Sequence, residues 1–396
     1  MSTRNPASFR ILHIIASVDR AGGGPVQGLI QGLDIRRSWG QQIEVISLDE
    51  PASAAISDFP GIVHGMGPAP QRYGYTPKLA RWIAQNGQRF DAAVIHGLWN
   101  HGSVGGWQGL RRAGLPYVIF THGMMDPWFR KAYPLKHWAK QLFWTVQGRA
   151  LRDANEVLFT SEEEKRLAEG VFFGYCYRPR VLAYAAAEAP AIAAEDYAAF
   201  RALVPSLAGR PYLLYLSRIH EKKGIDLLLE GFAKAARRPD LQLVIAGPPH
   251  GDLGERLQAQ ARSLGIADRV HWPGMVRGAA KAEAFRGAEA FVLTSHQENF
   301  GIAVAEALAY GKPVLISDQI NIWREIEAGG GGIVAPDTLE GATHVIAGWE
   351  TMTTEGRLAM GKAARAVYEA NFTIEAAARD LTAALERAAA SKPGRK

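Results

Sequence analysis

Short apolar runs, each long enough for one buried strand and too short to span a membrane, recur along this chain with helical patterns between them. In the first half they are ILHIIASV (11–18), IEVISL (43–48), AAVIHG (92–97), YVIFT (117–121) and EVLFT (156–160). From residue 212 the series begins again with YLLYLS (212–217), LQLVIAG (241–247), RVHW (269–272), EAFVLT (289–294), PVLIS (313–317) and GGIVA (331–335). Strand-length runs alternating with helices read as parallel α/β sheets, here two in tandem. Between them, YAAAEAPAIAAEDYAAFRALVPSLAGRP (184–211) is poor in large apolar residues and reads as a linker. The expected architecture is α/β with two Rossmann-like, doubly wound domains, 1–190 and 191–372. They are expected to face across a central cleft lined by the carboxyl ends of both sheets, where such sheets bind ligands. Residues 373–390 read as a helix that packs on either domain, including back on the first, and the basic tail SKPGRK is expected to be disordered.

A length of 396 residues exceeds what one core usually serves, and 47% apolar with 21% charged residues is an ordinary globular composition. The formal net charge of +6 and isoelectric point of about 9.3 suit an acidic partner: a nucleotide phosphate, an anionic membrane face or a nucleic acid. Nucleic acid is set aside because no helix-turn-helix, RNP-like or zinc pattern is visible. The one cysteine, Cys176, can form neither an internal disulfide nor a Cys-x-x-Cys metal site, which fits a reducing, cytoplasmic setting. Nowhere do roughly 18 uninterrupted apolar residues offer a membrane span, and the amino terminus reads as a strand rather than an export signal.

Four places carry chemistry. The loop SVDRAGGGPVQGLIQGL (17–33) follows a strand and opens a helix, with Pro25 suited to the first helical position, so its backbone N–H groups can cradle a phosphate. Gly22, Gly24 and Gly28 ahead of Asp49 also loosely match a dinucleotide fingerprint, which would make the chain an NAD-dependent oxidoreductase; a plain tight turn is the third reading. In LYLSRIHEKKGIDLLLEGF (214–232), Arg218 and Lys223 precede a helix that begins near Gly224, and two fixed cations at a helix start are what a departing diphosphate needs. Glu221 could instead neutralise either one in a solvated basic loop. After the Pro273-Gly274 turn in VHWPGMV, Met275 and Val276 can present backbone to a nucleobase edge and apolar side chains to its face.

The fourth is SHQENFGIAVAEALAYGKPVLIS (295–317), with Glu298 and Glu306 eight positions apart. Asn299, Phe300 and Gly301 turn the chain into a helix from about Ile302 to Tyr310, which puts Glu306 one turn inside, among small residues that leave room for a ligand. A carboxylate there is costly to bury without partners and suits a vicinal diol such as that of a ribose. Glu298, ahead of the helix, can accept from sugar hydroxyls, while the N–H groups of Phe300 and Gly301 face a diphosphate or sugar. Alternatively the pair could act as the two carboxylates of a glycosidase, or Glu298 could merely cap the helix.

Taken in order, SRIHEKKGID, VHWPGMV and HQENFGIAVAEALAYGKPV resemble the donor-binding half of retaining glycosyltransferases with the GT-B fold, of the family-four, group 1 type, over about residues 212–340. The resemblance implies that Glu298 and Glu306 are the family's E-x7-E pair, Arg218 and Lys223 its diphosphate signature, and Gly22, Gly23 and Gly24 its amino-terminal glycine loop. Gly247, Met275, Val276, Asn299, Phe300, Gly301 and Ile302 are then donor contacts, and His122, in IFTHGMMDPW (119–128), faces the donor sugar. It further implies transfer of a hexose-type sugar from a UDP- or GDP-linked donor to a glycan or lipid-linked acceptor, with retention, without metal or cofactor, in cell-envelope polysaccharide assembly. The family's front-face logic asks for charge stabilisation by Arg218 and Lys223 more than for a protein base. The chain departs from the family in VLAYAAAEA (181–189), where something like V-I-P-N-G-V is common. A non-catalytic sugar-nucleotide sensor would carry the same donor residues.

From Asp126 to Asp153, Arg130, Lys131, Lys136, Lys140, Arg149 and Arg152 interleave with Trp128, Phe129, Trp138, Phe143 and Trp144. On one helical segment this suits the headgroup region of an anionic membrane and so a lipid-linked acceptor, unless the aromatics are core and the bases a solvated face. His96, His101 and His122 could be combined into a metal site on paper, but carboxylate companions at suitable spacing are missing.

Overall fold

The computed structural model describes residues 9–20, 24–68, 73–190 and 198–391, with Lys131 by its backbone alone. The first sheet is parallel throughout and made of β1 (Arg10–Ile14), β2 (Gln42–Ser47), β3 (Ile62–Gly65), β4 (Ala92–His96), β5 (Tyr117–Phe120), β6 (Glu156–Phe159) and β7 (Pro179–Val181). Its spatial order is β3-β2-β1-β4-β5-β6-β7. The second, also parallel, holds β8 (Tyr212–Leu216), β9 (Gln242–Ala246), β10 (Val270–Gly274), β11 (Ala290–Leu293), β12 (Val314–Ser317) and β13 (Gly332–Ala335), in the order β10-β9-β8-β11-β12-β13. Both orders reverse at the same point, between β1 and β4 and between β8 and β11. A doubly wound sheet opens a crevice at such a switch point, beyond its carboxyl edge.

Two strands lack an apolar run that would announce them. β3 is an edge strand with two large apolar residues, of which Ile62 is 57% exposed. β7 is the opposite edge and carries Pro179, which a central strand would not tolerate. Burial on one side or none leaves such strands without the signature that central ones show.

Along β1 the side chains alternate between two cores. Leu12 and Ile14 join Leu79, Ile83, Val104, Trp107 and Leu110 under the helices Pro77–Asn86 and His101–Ala113. Ile11 and Ile15 join Val26, Leu29 and Leu33 under the helix Gly24–Ser38. The helix Ile374–Ala390 lies on that second face, where Ala384, Leu385 and Ala388 are buried and Gln41 Nε2 donates to Thr382 Oγ1 at 3.0 Å. The chain accordingly folds as two units: the residues up to Tyr184 with those from Ile374 onward, and Ala185–Thr373.

The stretch read as a linker is structured over its described second half. Ala198–Leu203 is helical and Pro205–Leu207 a 3-10 turn. Phe200 is 3% exposed, and its N–H donates at 2.6 Å to Glu283 Oε2 in the second unit, so one aromatic anchor turns an alanine-rich stretch into part of the core. The basic-aromatic segment is two helices rather than one, Trp128–Ala132 and Pro134–Asp153, because Pro134 takes a first helical position and starts anew. Its aromatics divide: Trp144 is 1% exposed and belongs to the core, whereas Trp138 is 66% exposed beside Leu135 at 85% and Leu142 at 75%.

Candidate active site

In the second unit the switch point is built by glycines. After β8 the chain makes a 3-10 turn, Glu221–Lys223, and enters the helix Ile225–Ala235 through Gly224, whose φ is +58°. A Cβ on Gly224 would stand 2.0 Å from the Thr294 carbonyl oxygen, and Thr294 Oγ1 donates to the Gly224 carbonyl at 2.7 Å. That close approach locks the loop after β8 against the end of β11. Gly247, φ +152°, does the same after β9: a Cβ there would lie 1.8 Å from the Ser217 carbonyl oxygen and 3.5 Å from Arg218 Cα. Its structural part is to let β8 exit beside β9, and its N–H donates to the Gly274 carbonyl at 2.7 Å.

The locked loops bring Lys223 Nζ onto Glu298 Oε2, an ion pair whose side chains are only 12% and 23% exposed. Lys222 Nζ donates to Gln297 Oε1 at 2.9 Å alongside. The Glu298 backbone is clamped to the loop after β12, donating to the Gln319 carbonyl at 3.0 Å and accepting from Asn321 N–H at 3.1 Å. Gly301, φ +73°, then starts the helix Ile302–Ala309. Glu306 is 6% exposed inside it and is paired with Lys281 Nζ at 2.7 Å. Lys281 comes from the helix Gly278–Gly287, and no local spacing announces it. Arg218 is exposed and has no carboxylate within ion-pair distance among the described residues. Glu221 pairs instead with Arg256, at 3.2 Å. Met275 is 48% exposed and Val276 7%, so only the former offers a free apolar side chain. Further along this edge His296 Nδ1 meets Asp337 Oδ1 at 2.7 Å, and that hydrogen bond raises the histidine's pKa.

In the first unit, Gly22 and Gly23 lie outside the described residues. Gly24 opens its helix, and its carbonyl accepts from Tyr184 Oη at 3.0 Å. Asp49 is not free for a ribose: it takes the Ser17 hydroxyl at 2.7 Å and the Val18 N–H at 2.8 Å, shaping the loop after β1. His122 follows β5 with φ +48°, a left-handed conformation that a residue other than glycine adopts at a cost. Glu164 holds it there. Its Oε1 accepts from Thr121 Oγ1 and Gly123 N–H, both at 2.6 Å, and its Oε2 from Thr160 N–H and Oγ1, both at 2.7 Å. This carboxylate is 4% exposed and went unrecognised in the sequence, although Ser161-x-x-Glu164 has the form of a capping box.

Behind His122 stand two more histidines. His96 Nδ1 lies 3.1 Å from His122 Nε2, His13 Nδ1 lies 2.8 Å from His96 Nε2, and Arg36 Nη1 lies 3.2 Å from His13 Nε2. His13 is fully buried, Arg36 2% exposed and His96 7%. Burial pushes the His122 pKa down to about 4, and burial with the neighbouring cationic groups pushes those of His13 and His96 well down too. His101 takes no part, its Nε2 lying 2.9 Å from the Thr76 carbonyl. Among the described residues no group of three metal-ligating side chains is brought together.

Two family models match in tandem: Glycosyl transferase 4-like domain over residues 26–185, and Glycosyl transferases group 1 over residues 199–367. The chain belongs to the group 1 glycosyl transferases. Among curated proteins it is similar to mannosylfructose-phosphate synthase of Agrobacterium fabrum, 35% identical over 30% of this chain and 27% of that protein. It is also similar to phosphatidyl-myo-inositol mannosyltransferase of Mycobacterium tuberculosis, 37% identical over 31% of this chain and 32% of that one. These likenesses therefore span about a third of either relative. Over its whole length the chain has the fold of Anabaena HepE, solved in complex with UDP and glucose, with a TM-score of 0.76 at 19% identity, covering 96% of this chain and 100% of that one. The fold of this group 1 chain is thus GT-B, two Rossmann-like α/β domains.

Proposed function

We propose that this chain transfers a hexose-type sugar from a UDP- or GDP-linked donor to a hydroxyl of a glycan or lipid-linked acceptor, with retention of configuration. The observation that carries the proposal is the Lys223–Glu298 pair at the carboxyl edge of β8 and β11, with Arg218 exposed on the same loop. Paired as they are, Lys223 and Glu298 each give up a partner when a donor arrives: the ammonium turns to a phosphate oxygen and the carboxylate accepts from sugar hydroxyls. Glu306, steadied by Lys281, accepts from the ribose diol, and Met275 covers the base. The acceptor oxygen then attacks the anomeric carbon on the face from which the diphosphate departs. As the carbon–oxygen bond to phosphate breaks, the acceptor's proton passes to a leaving phosphate oxygen. Arg218 and Lys223 supply the positive charge this step needs, so turnover is expected to survive chelation of divalent metal.

Support for a lipid-linked acceptor comes from the helix Pro134–Asp153. Leu135, Trp138 and Leu142, spaced to share one face, are 85%, 66% and 75% exposed, and Tyr133 and Phe173 are 47% and 67% exposed. Between Asp126 and Asp153 there are six Lys or Arg and no Asp or Glu. Apolar side chains in water on a segment with an excess of cations suit an anionic headgroup layer. Among the described residues no helix is long and apolar enough to cross a membrane.

The experiment is a panel of UDP-, GDP- and ADP-sugars, read by melting temperature and by release of nucleoside diphosphate. Stabilisation by one of them, with release and an α-linked product from an α-linked donor, is expected. Stabilisation without release to any acceptor would leave a sugar-nucleotide sensor in its place, and no stabilisation would remove the donor assignment. Vesicles with anionic lipid should retain the chain at moderate salt, and neutral vesicles should not.

A further inference from the structure

Arg36 is a buried cation without a carboxylate partner among the described residues, and this is the unexplained feature of the first unit. Its Nε donates to the Gly32 carbonyl at 3.0 Å, which fixes the guanidinium, and its Nη1 points at His13 Nε2 at 3.2 Å. A guanidinium can only donate, so His13 Nε2 must accept. A neutral imidazole that accepts on one nitrogen carries its proton on the other. His13 Nδ1 therefore donates to His96 Nε2 at 2.8 Å, which in turn leaves His96 Nδ1 to donate to His122 Nε2 at 3.1 Å. The last ring must then hold its proton on Nδ1. Among the described residues nothing accepts from that nitrogen.

We infer that Arg36, His13 and His96 are positioning residues: through them the buried guanidinium sets the tautomer of His122, which meets its ligand as a neutral ring donating from Nδ1. The chain of donors has one direction, because Arg36 cannot reverse it. The near-coplanar, edge-to-edge arrangement of the rings preserves the alignment. His13 and His96 rings lie 5.1 Å apart at 20°, and those of His96 and His122 5.4 Å apart at 11°. Phe120 stacks on His122 at 5.3 Å, and the edge of Tyr184 closes another side. Protonation anywhere along the line would put two donors face to face in a buried site, so the same contacts keep all three rings neutral. Such a ring recognises a hydroxyl or other acceptor oxygen, and it has no free lone pair on the ligand side with which to act as a base. The part of the inference that concerns turnover rests on the proposed transferase reading.

The direct test is long-range ¹H–¹⁵N correlation of the histidine rings in the full chain at pH 7, assigned by difference against His122→Ala and His96→Gln. His13, His96 and His122 are expected with protonated Nδ1 and bare Nε2. An Nε2–H tautomer or a doubly protonated ring at His122 would overturn the inference, whatever the chain catalyses. Arg36→Met should leave His122 in mixed tautomers, and Arg36→Lys should restore the single one. Where Arg36→Met does not fold, His13→Gln and His13→Leu replace it, since glutamine can accept from Arg36 and donate to His96 while leucine can do neither. A histidine in the wrong tautomer can cost as much as about 10⁴ in turnover when it moves a proton. For a donor that only orients, a drop of at least about tenfold in kcat with donor KM little changed is expected for His13→Leu. Activity in His13→Leu equal to that of His13→Gln would refute the link to turnover. Correct tautomers in a chain with no transferase activity would instead count against the proposed function alone.

Discussion

At the carboxyl edge of the first sheet the polar groups are held in place without pairs of opposite charge: three histidines stand in line behind Arg36, and Glu164 is filled by four donors. At the same edge of the second sheet, cations and carboxylates stand in pairs: Lys223 with Glu298, Lys281 with Glu306, His296 with Asp337. The first arrangement has its shape before any ligand arrives. The second has its charges stored on one another, and a charged ligand has to exchange partners with them. A half-buried pair costs desolvation that mutual attraction only partly returns, which makes such an exchange feasible for a diphosphate.

The comparison can be broken at several points. The largest effect should come from Arg218→Ala, because this exposed cation carries no structural pair. About 10²–10³ should be lost from kcat with the melting temperature unchanged, as when one donor to a developing charge is removed. Wild-type kinetics in that variant would remove Arg218 from the reaction. Next in size is the response to acid. The unfolded chain binds a proton at each histidine near pH 6.5, whereas folded His122 waits until about 4. Between those values the unfolded state holds more protons, so stability falls as pH falls, by roughly 3 kcal/mol from His122 alone. His296, raised by Asp337, behaves oppositely: its contribution is complete below about pH 6.5 and is lost as pH climbs through the raised value. Hydrogen exchange followed strand by strand should therefore show β1, β4 and β5 losing protection on acidification while the loop after β11 does not. Uniform loss in both sheets would dissolve the distinction.

Smaller again is Glu164→Gln, which keeps the volume but points an amide NH₂ at a backbone N–H, that of Gly123 or Thr160, which can only donate. About 2–3 kcal/mol should disappear from the first unit in denaturant unfolding, with donor-induced stabilisation intact. Least is Lys281→Met. It should weaken donor binding by about tenfold or less, since Glu306 then sits buried without the cation that steadies it.

The central strands, their order along the chain and the glycine-led turns were legible because each is a local pattern. Edge strands β3 and β7 were not, since burial on one side leaves little to see. The partners of the functional groups were hidden for another reason: Lys281 reaches Glu306 across 25 residues and His13 reaches His96 across 83, and pairings at that range leave no spacing rule. Two clues were nevertheless present. A histidine in the middle of ILHII is a polar residue where burial is certain, so it needs a partner. The serine and glutamate of SEEE mark a helix start whose carboxylate could turn to a neighbouring loop. The basic-aromatic segment reads as continuous because its periodicity runs across Pro134, yet that proline begins a second helix.

Gly224 and Gly247 also set the terms for anyone wishing to redirect donor choice. Both press backbone on backbone, with room for no side chain at all. A library that randomises the loops after β8 and β9 would return glycine at these two positions from every folded clone, while the exposed Glu221 could vary in what it presents to a substrate. The scaffold is thus evolvable beside its two fixed points and rigid at them.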